Sequence, residues 1–221
     1  MGPRYVIFYV AHDDKSGKQC IGRAESASPT GPFADTASSP VVCQSDLGGS
    51  IDPDPVRGPN GELYLYWKND GNCCGYPVRL WGQRMSADAA ALVGKPVPLM
   101  SNTKSWQGNL VEAPEMVRHG DAYFLFYSAN DYASEKYAVG YATCQAPLGP
   151  CTDSSDQPLL SSSAVAAGPG HCYILQLAGG RTVMFFHAWP PNAIGSQSPG
   201  RQLWWEQLDW KAGKPSMTPP Q

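Results

Sequence analysis

Bulky apolar and aromatic residues come in short runs, broken about every ten residues by glycine or proline. YVIFYV from Tyr5, LYLYW from Leu63, YFLFYSA from Tyr123 and TVMFFHAW from Thr182 are rich in β-branched and aromatic side chains and are introduced by turn residues, the signature of strands. The one helix-like stretch, SADAAALVG from Ser86 to Gly94, holds at most two turns. The pattern predicts an all-β protein.

The runs repeat. Tyr5 to Phe33 lies over Tyr123 to Cys151 without a gap, at an offset of 118, matching Tyr9 with Tyr127, Asp13 with Asp131, Gly22 with Gly140 and Pro32 with Pro150. Half that offset, 59, carries Tyr5 to Tyr64 and Tyr123 to Thr182, so four units are visible, each with a bulky residue three positions on: Phe8, Trp67, Phe126 and Phe185. A unit of this size accommodates four strands of about 5–6 residues with their loops, the size of a propeller blade, whereas solenoid repeats are usually shorter. Residues 1–221 are therefore expected to form one partial propeller domain.

About a dozen residues before each aromatic strand a polar residue recurs: Asp52 in GGSIDPDPV, Glu112 in LVEAPEMV and His171 in GPGHCYIL, at spacings of 60 and 59. The first strand of a propeller blade lines the central channel, so these three side chains are expected near the axis. The equivalent position in the first unit falls before Met1. The expectation is thus about four blades, with the first blade and the innermost strand of the second missing.

Composition narrows the function. With 23 glycines and 21 prolines, 11% aromatic and 16% charged residues, the chain is folded and turn-rich. A net charge of −3, a pI near 5.8 and no run of Lys or Arg leave no footprint for nucleic acid or an anionic membrane. No apolar stretch reaches the roughly 18 residues of a membrane span, and the N-terminal residues do not read as a signal peptide. Seven cysteines leave at least one unpaired in a monomer, and none of the spacings is that of a structural zinc site. Cys144 and Cys151 bracket the turn QAPLGP, either as a disulfide or as two separate thiols, and the choice bears on secretion.

The ordered set GGSIDPDP (48–55), VEAPEMVRHGDAYFLFYSA (111–129), GPGHC (168–172), IGRAESASPTGPF (21–33) and RQLWWEQLDW (201–210) resembles glycoside hydrolase family 43, five-bladed β-propeller enzymes acting on arabinose- and xylose-containing polysaccharides. The resemblance implies that Glu112 is the proton donor, that Asp52 modulates its pKa, and that His171 holds an axial ion, calcium or another, or a water, with no other cofactor required. The family's catalytic base is an aspartate on the first blade, which this chain is expected to lack. A polysaccharide or oligosaccharide substrate, a monomeric state and secretion of the full-length form follow from the same resemblance.

The chemistry agrees. Inversion at a glycosidic bond needs a protonated carboxyl for the leaving oxygen and an ionised one about 6.5–9.5 Å away to activate water. A third carboxylate beside the acid keeps it protonated by like-charge repulsion. Asp13 and Asp14 are poor substitutes for the base, because they align with Asp131 in a loop after the second strand. Trp67, Trp81, Trp106 and Trp189 are candidate sugar platforms, Trp106 first among them because it precedes the acid motif, and Arg201 is a candidate hydrogen-bond donor to substrate. A propeller that binds polysaccharide without cleaving it is the alternative function.

Overall fold

The computed structural model describes residues 4–221 and confirms the all-β expectation. The chain divides into two compact units, one ending at Pro98 and the other running from Leu99 to Gln221. The first holds β1 (Tyr5–Asp13), β2 (Lys18–Ser26), β3 (Ser50–Arg57), β4 (Leu63–Asn69), β5 (Leu80–Met85) and most of β6 (Leu92–Met100). The second holds β7 (Val111–His119), β8 (Ala122–Ala129), β9 (Ala138–Cys144), β10 (Cys151–Asp153), β11 (Ala167–Gln176), β12 (Thr182–Trp189), β13 (Gln202–Lys211) and β14 (Lys214–Ser216). Three antiparallel sheets have four strands in chain order, β3 to β6, β7 to β10 and β11 to β14, while β1 and β2 form a sheet of two. The stretch from Ser86 that looked helical is a turn into β6, because the Ser86 hydroxyl accepts from the backbone N–H groups of Ala90 and Ala91 and closes the chain locally.

The repeat extends to single bonds. Beyond β2, Glu25 bridges Ala34 and Ile21 bridges Val42; at the same offset of 118, Thr143 pairs with Thr152 and Val139 bridges Leu160. The Tyr9 hydroxyl donates to Asp35 and the Tyr127 hydroxyl to Asp153, again 118 residues apart. In both cases a glycine on the neighbouring strand makes room for the ring: a Cβ at Gly22 would stand 2.4 Å from Tyr9, and one at Gly140 would stand 2.7 Å from the Tyr127 hydroxyl. Those contacts explain the matched Tyr–Gly pairs in the sequence. A side chain at either glycine would displace an aromatic ring that the strand pairing holds in place.

In the first unit the core is built from Ile21, Val42, Leu65, Trp67, Trp81 and Met85. Asn69 ties the loop after β4 to it, donating to the carbonyls of Leu47 and Pro77 and accepting from the Trp81 indole. The core of the second unit joins its two sheets through Val117, Phe124, Phe126, Val139, Ile174, Met184, Phe186 and Leu208. The buried Glu115 carboxylate accepts from the Ile174 N–H at 3.1 Å, so a polar contact also spans the two sheets. On the other hand, Leu203 and Trp205 of β13 and Tyr173 of β11 remain exposed.

Among the described residues three disulfides are present, Cys20–Cys43, Cys73–Cys74 and Cys144–Cys151, and Cys172 is buried and outside them. Cys144 and Cys151 are direct cross-strand partners of β9 and β10, which brings them into bridging range and decides between the two alternatives left by the sequence.

The two tyrosine–aspartate pairs should differ in worth. Tyr127 is fully buried and its hydroxyl also accepts from Gln107 at 2.7 Å, whereas Tyr9 is half-buried. Tyr127→Phe should destabilise the protein by about 1–3 kcal/mol, because Gln107 and Asp153 lose a partner away from water. Tyr9→Phe should stay within about 0.5 kcal/mol of wild type. Urea unfolding of both variants measures the difference.

Candidate active site

The first strand of each four-stranded sheet breaks its register at the same place. Pairing slips between Ile51 and Asp54 in β3, between Glu112 and Glu115 in β7, and between Gly170 and Tyr173 in β11, so each first strand carries one extra residue there, two residues standing against one on the partner. The first bulged residue has left-handed backbone in every case: Asp52 at φ 55°, Ala113 at φ 51° and His171 at φ 51°. Such backbone is uncommon for residues other than glycine and clusters at functional sites. The counterparts of Asp52 are therefore Ala113 and His171. Glu112 stands one position earlier, opposite Ser128, where its counterparts are Ile51 opposite Lys68 and Gly170 opposite His187.

In the second unit a connected polar cluster forms around Glu112. Its Oε1 accepts a hydrogen bond of 2.7 Å from the hydroxyl of Tyr137, which is 1% exposed. The Tyr137 ring lies parallel to His187, with centroids 5.9 Å apart and planes at 8°. It also lies against the glycines of GPGHC: a Cβ at Gly170 would stand 2.0 Å from the ring, and one at Gly168 would stand 3.4 Å from the Tyr137 Cβ. His171 follows, its backbone N–H donating to the Ser128 hydroxyl at 2.7 Å and its exposed ring 6.1 Å from that of His187.

Arg201 completes the cluster. Its Nη1 is 2.9 Å from His187 Nε2, and since a guanidinium only donates, Nε2 accepts. Nδ1 then carries the proton, buried and without a partner among the described residues. Burial first, then the charges of Arg201 and His171, lower the His187 pKa to about 4, so the ring is neutral at neutral pH. The same guanidinium lies 5.0 Å from the Tyr132 ring centroid and 5.7 Å from that of Trp189. An exposed set of donors beside two aromatic faces suits a sugar, which offers hydroxyl edges and apolar ring faces.

Sequence reasoning found Glu112, His171, Arg201 and Trp189 but missed Tyr137, His187 and Tyr132. A signal for His187 exists: Lys68, Ser128 and His187 are polar residues inside otherwise apolar second strands, 60 and 59 positions apart, each opposite the residue before a bulge. Tyr137 falls inside the repeat but opposite Gln19, so no matched residue marks it. Trp106 is engaged in packing: its indole stacks on Tyr127, fills the space over Gly140 and donates to the Ser155 carbonyl at 3.0 Å. Asp52 belongs to the first unit, at the bulge of β3.

The residues around His171 do not form a protein cage for an ion. Among the described residues, the group of three ligating side chains that gathers closely enough is Asp13, Cys20 and Cys43, and its two cysteines are joined in a disulfide. His171 would offer one ring nitrogen to an ion.

The family model for glycosyl hydrolases family 43 matches residues 1–215. The chain belongs to this family. It is 21% identical over 172 residues to the β-D-galactofuranosidase xynD of Aspergillus niger, covering 76% of this chain but only 46% of that protein. To the arabinan endo-1,5-α-L-arabinosidase A of Aspergillus niger it is 23% identical over 234 residues, covering 96% of this chain and 68% of the relative. Among solved structures, a thermostable family-43 glycoside hydrolase superposes with a TM-score of 0.86 at 28% identity, over 98% of this chain and 72% of that one. Three sheets of four strands and one of two are consistent with an incomplete five-bladed family-43 propeller.

The state of His187 gives a test of the cluster. An unfolded histidine takes up its proton near pH 6.5, while the folded one does so at about 4, so between these values the unfolded chain binds more protons and stability falls as pH falls. In His187→Gln that part of the slope should disappear, since His12, His119 and His171 are the same in both proteins. Urea midpoints at pH 7 and pH 5 should therefore lie closer together in the variant than in the wild type.

Proposed function

We propose that this chain carries the acid-donating part of an inverting glycoside hydrolase acting on arabinofuranosyl or xylosyl linkages of plant cell-wall polysaccharides. The observation that supports this most is the Glu112 carboxyl, presented at a strand bulge and held by a buried tyrosine hydroxyl, with Arg201, Tyr132 and Trp189 joined to the same cluster. In this reading Glu112 passes its proton to the glycosidic oxygen as the bond to the anomeric carbon breaks. Arg201 donates to substrate hydroxyls, and His187, being neutral, aims the guanidinium without competing for its charge. His171 holds water or an ion through its exposed ring. Asp52 is the modulating carboxylate, and Trp106, partly exposed, is the candidate subsite ring. The water-activating carboxylate is assigned to no residue of this chain.

Three disulfides fit an oxidising compartment, and with them the secretion expected of the full-length form. Among the described residues no helix is long and apolar enough to cross a membrane. The reading includes a monomer that meets oligosaccharide rather than nucleic acid or lipid.

Glu112→Gln keeps the shape and the contact with Tyr137 but cannot donate a proton. Turnover of unactivated arabino- or xylo-oligosaccharides should fall by about 10²–10⁴-fold, with binding retained. Asp52→Asn should displace the pH–rate profile and leave KM nearly unchanged. Oligosaccharide binding together with turnover that is indifferent to Glu112→Gln would remove the assigned role, and binding with no turnover under any condition would favour a polysaccharide-binding propeller.

A further inference from the structure

We propose that Tyr137 is the positioning residue of the proton donor, its hydroxyl holding Oε1 of Glu112 so that the transferable proton resides on Oε2. This rests on the reading of Glu112 as the acid.

A glutamate has three side-chain torsions, and left to itself its carboxyl samples several orientations at a cost of up to about 2 kcal/mol to fix one. Glu112 is placed where the strand provides little restraint, directly before the bulged Ala113. Tyr137 provides that restraint because it cannot move itself. It is buried, stacks on His187, and its ring occupies the space that a side chain at Gly170 would take. Arg201 in turn anchors His187, so the chain of contacts runs from the surface guanidinium to the carboxyl.

The hydrogen bond has a chemical direction. In a protonated carboxyl the carbonyl oxygen is the better acceptor, so a phenol donating to Oε1 leaves the O–H on Oε2. When that proton passes to the glycosidic oxygen, the anomeric C–O bond breaks and Glu112 is left as a carboxylate, with its new charge shared by Oε1. The phenolic bond then becomes charge-assisted and about twice as strong. An interaction that strengthens along the reaction raises kcat rather than binding. Its effect should also grow as the leaving group becomes poorer and needs the proton more.

Tyr137→Phe is the test, because the ring that fills the glycine cradle stays and only the hydroxyl goes. With unactivated oligosaccharides kcat should fall roughly ten- to a hundred-fold with KM within about two-fold, while dinitrophenyl glycosides should be hardly affected. A fall equal for both leaving groups, or a change in KM alone, overturns the proposal. The dependence on the leaving group is a readout that lost packing would not move, because a loosened site slows both substrates alike. Glu112→Gln separates the two readings: turnover surviving in it refutes the acid assignment, whereas the Tyr137→Phe effect should be present with Glu112 and vanish in the Glu112→Gln background if the hydroxyl acts through this carboxyl. An effect of equal size in both backgrounds overturns the proposal.

Discussion

The site depends on a bulge of one extra residue in an edge strand. In β7 pairing with β8 stops after Glu112 and resumes at Glu115, and the intervening Ala113 adopts left-handed backbone at φ 51°. A regular strand would turn successive side chains to opposite faces of the sheet. One extra residue between Glu112 and Glu115 interrupts that alternation: the Glu112 carboxyl accepts from Tyr137 at the last pair before the bulge, and Glu115, at the first pair after it, is buried and accepts from Ile174.

Close packing makes that irregularity rigid. The repeat places glycines wherever an aromatic ring crosses a neighbouring strand, Gly22 under Tyr9 and Gly140 under Tyr127. The second unit applies the same solution at the site, where Gly170 admits the Tyr137 ring. Without a side chain on those positions the ring approaches the backbone directly, and a well-packed interior gives it nowhere else to go. Burial then keeps His187 neutral, so that it serves as acceptor and stacking surface and leaves the cationic charge of the cluster on Arg201.

Much of this was legible in the sequence because the repeat is local and regular. The aromatic runs marked β1, β4, β8 and β12, and the offset of 118 extended to the Tyr–Gly pairs and to the bridges beyond β2 and β9. The family resemblance, carried by IDPDP, VEAPEM and GPGHC, led to the family shown by the match over residues 1–215. The bulges could not be counted from spacing. Each bulge sets two residues against one on the partner, and Glu112 stands one residue nearer in sequence to its partner Ser128 than Ile51 and Gly170 stand to Lys68 and His187, so aligning Asp52, Glu112 and His171 by number pairs Glu112 with a neighbour of its true counterparts. Tyr137 was invisible for a different reason. It lies in the loop between β8 and β9, where the offset of 118 sets it against Gln19 and no repeated residue marks it, and its meaning comes from a glycine more than thirty residues away. The helix-like run at Ser86 misled because a serine hydroxyl competes with helical bonding for the same backbone groups.

The most direct test is a crystal structure of the Glu112→Gln variant with an arabino- or xylo-oligosaccharide bound. The account predicts a glycosidic oxygen within hydrogen-bond distance of the residue-112 side chain on its Oε2 side, the Tyr137 hydroxyl still on Oε1, and a sugar ring against Arg201, Tyr132 and Trp189. A sugar seated away from this cluster, or one whose glycosidic oxygen faces Tyr137 rather than residue 112, would contradict it.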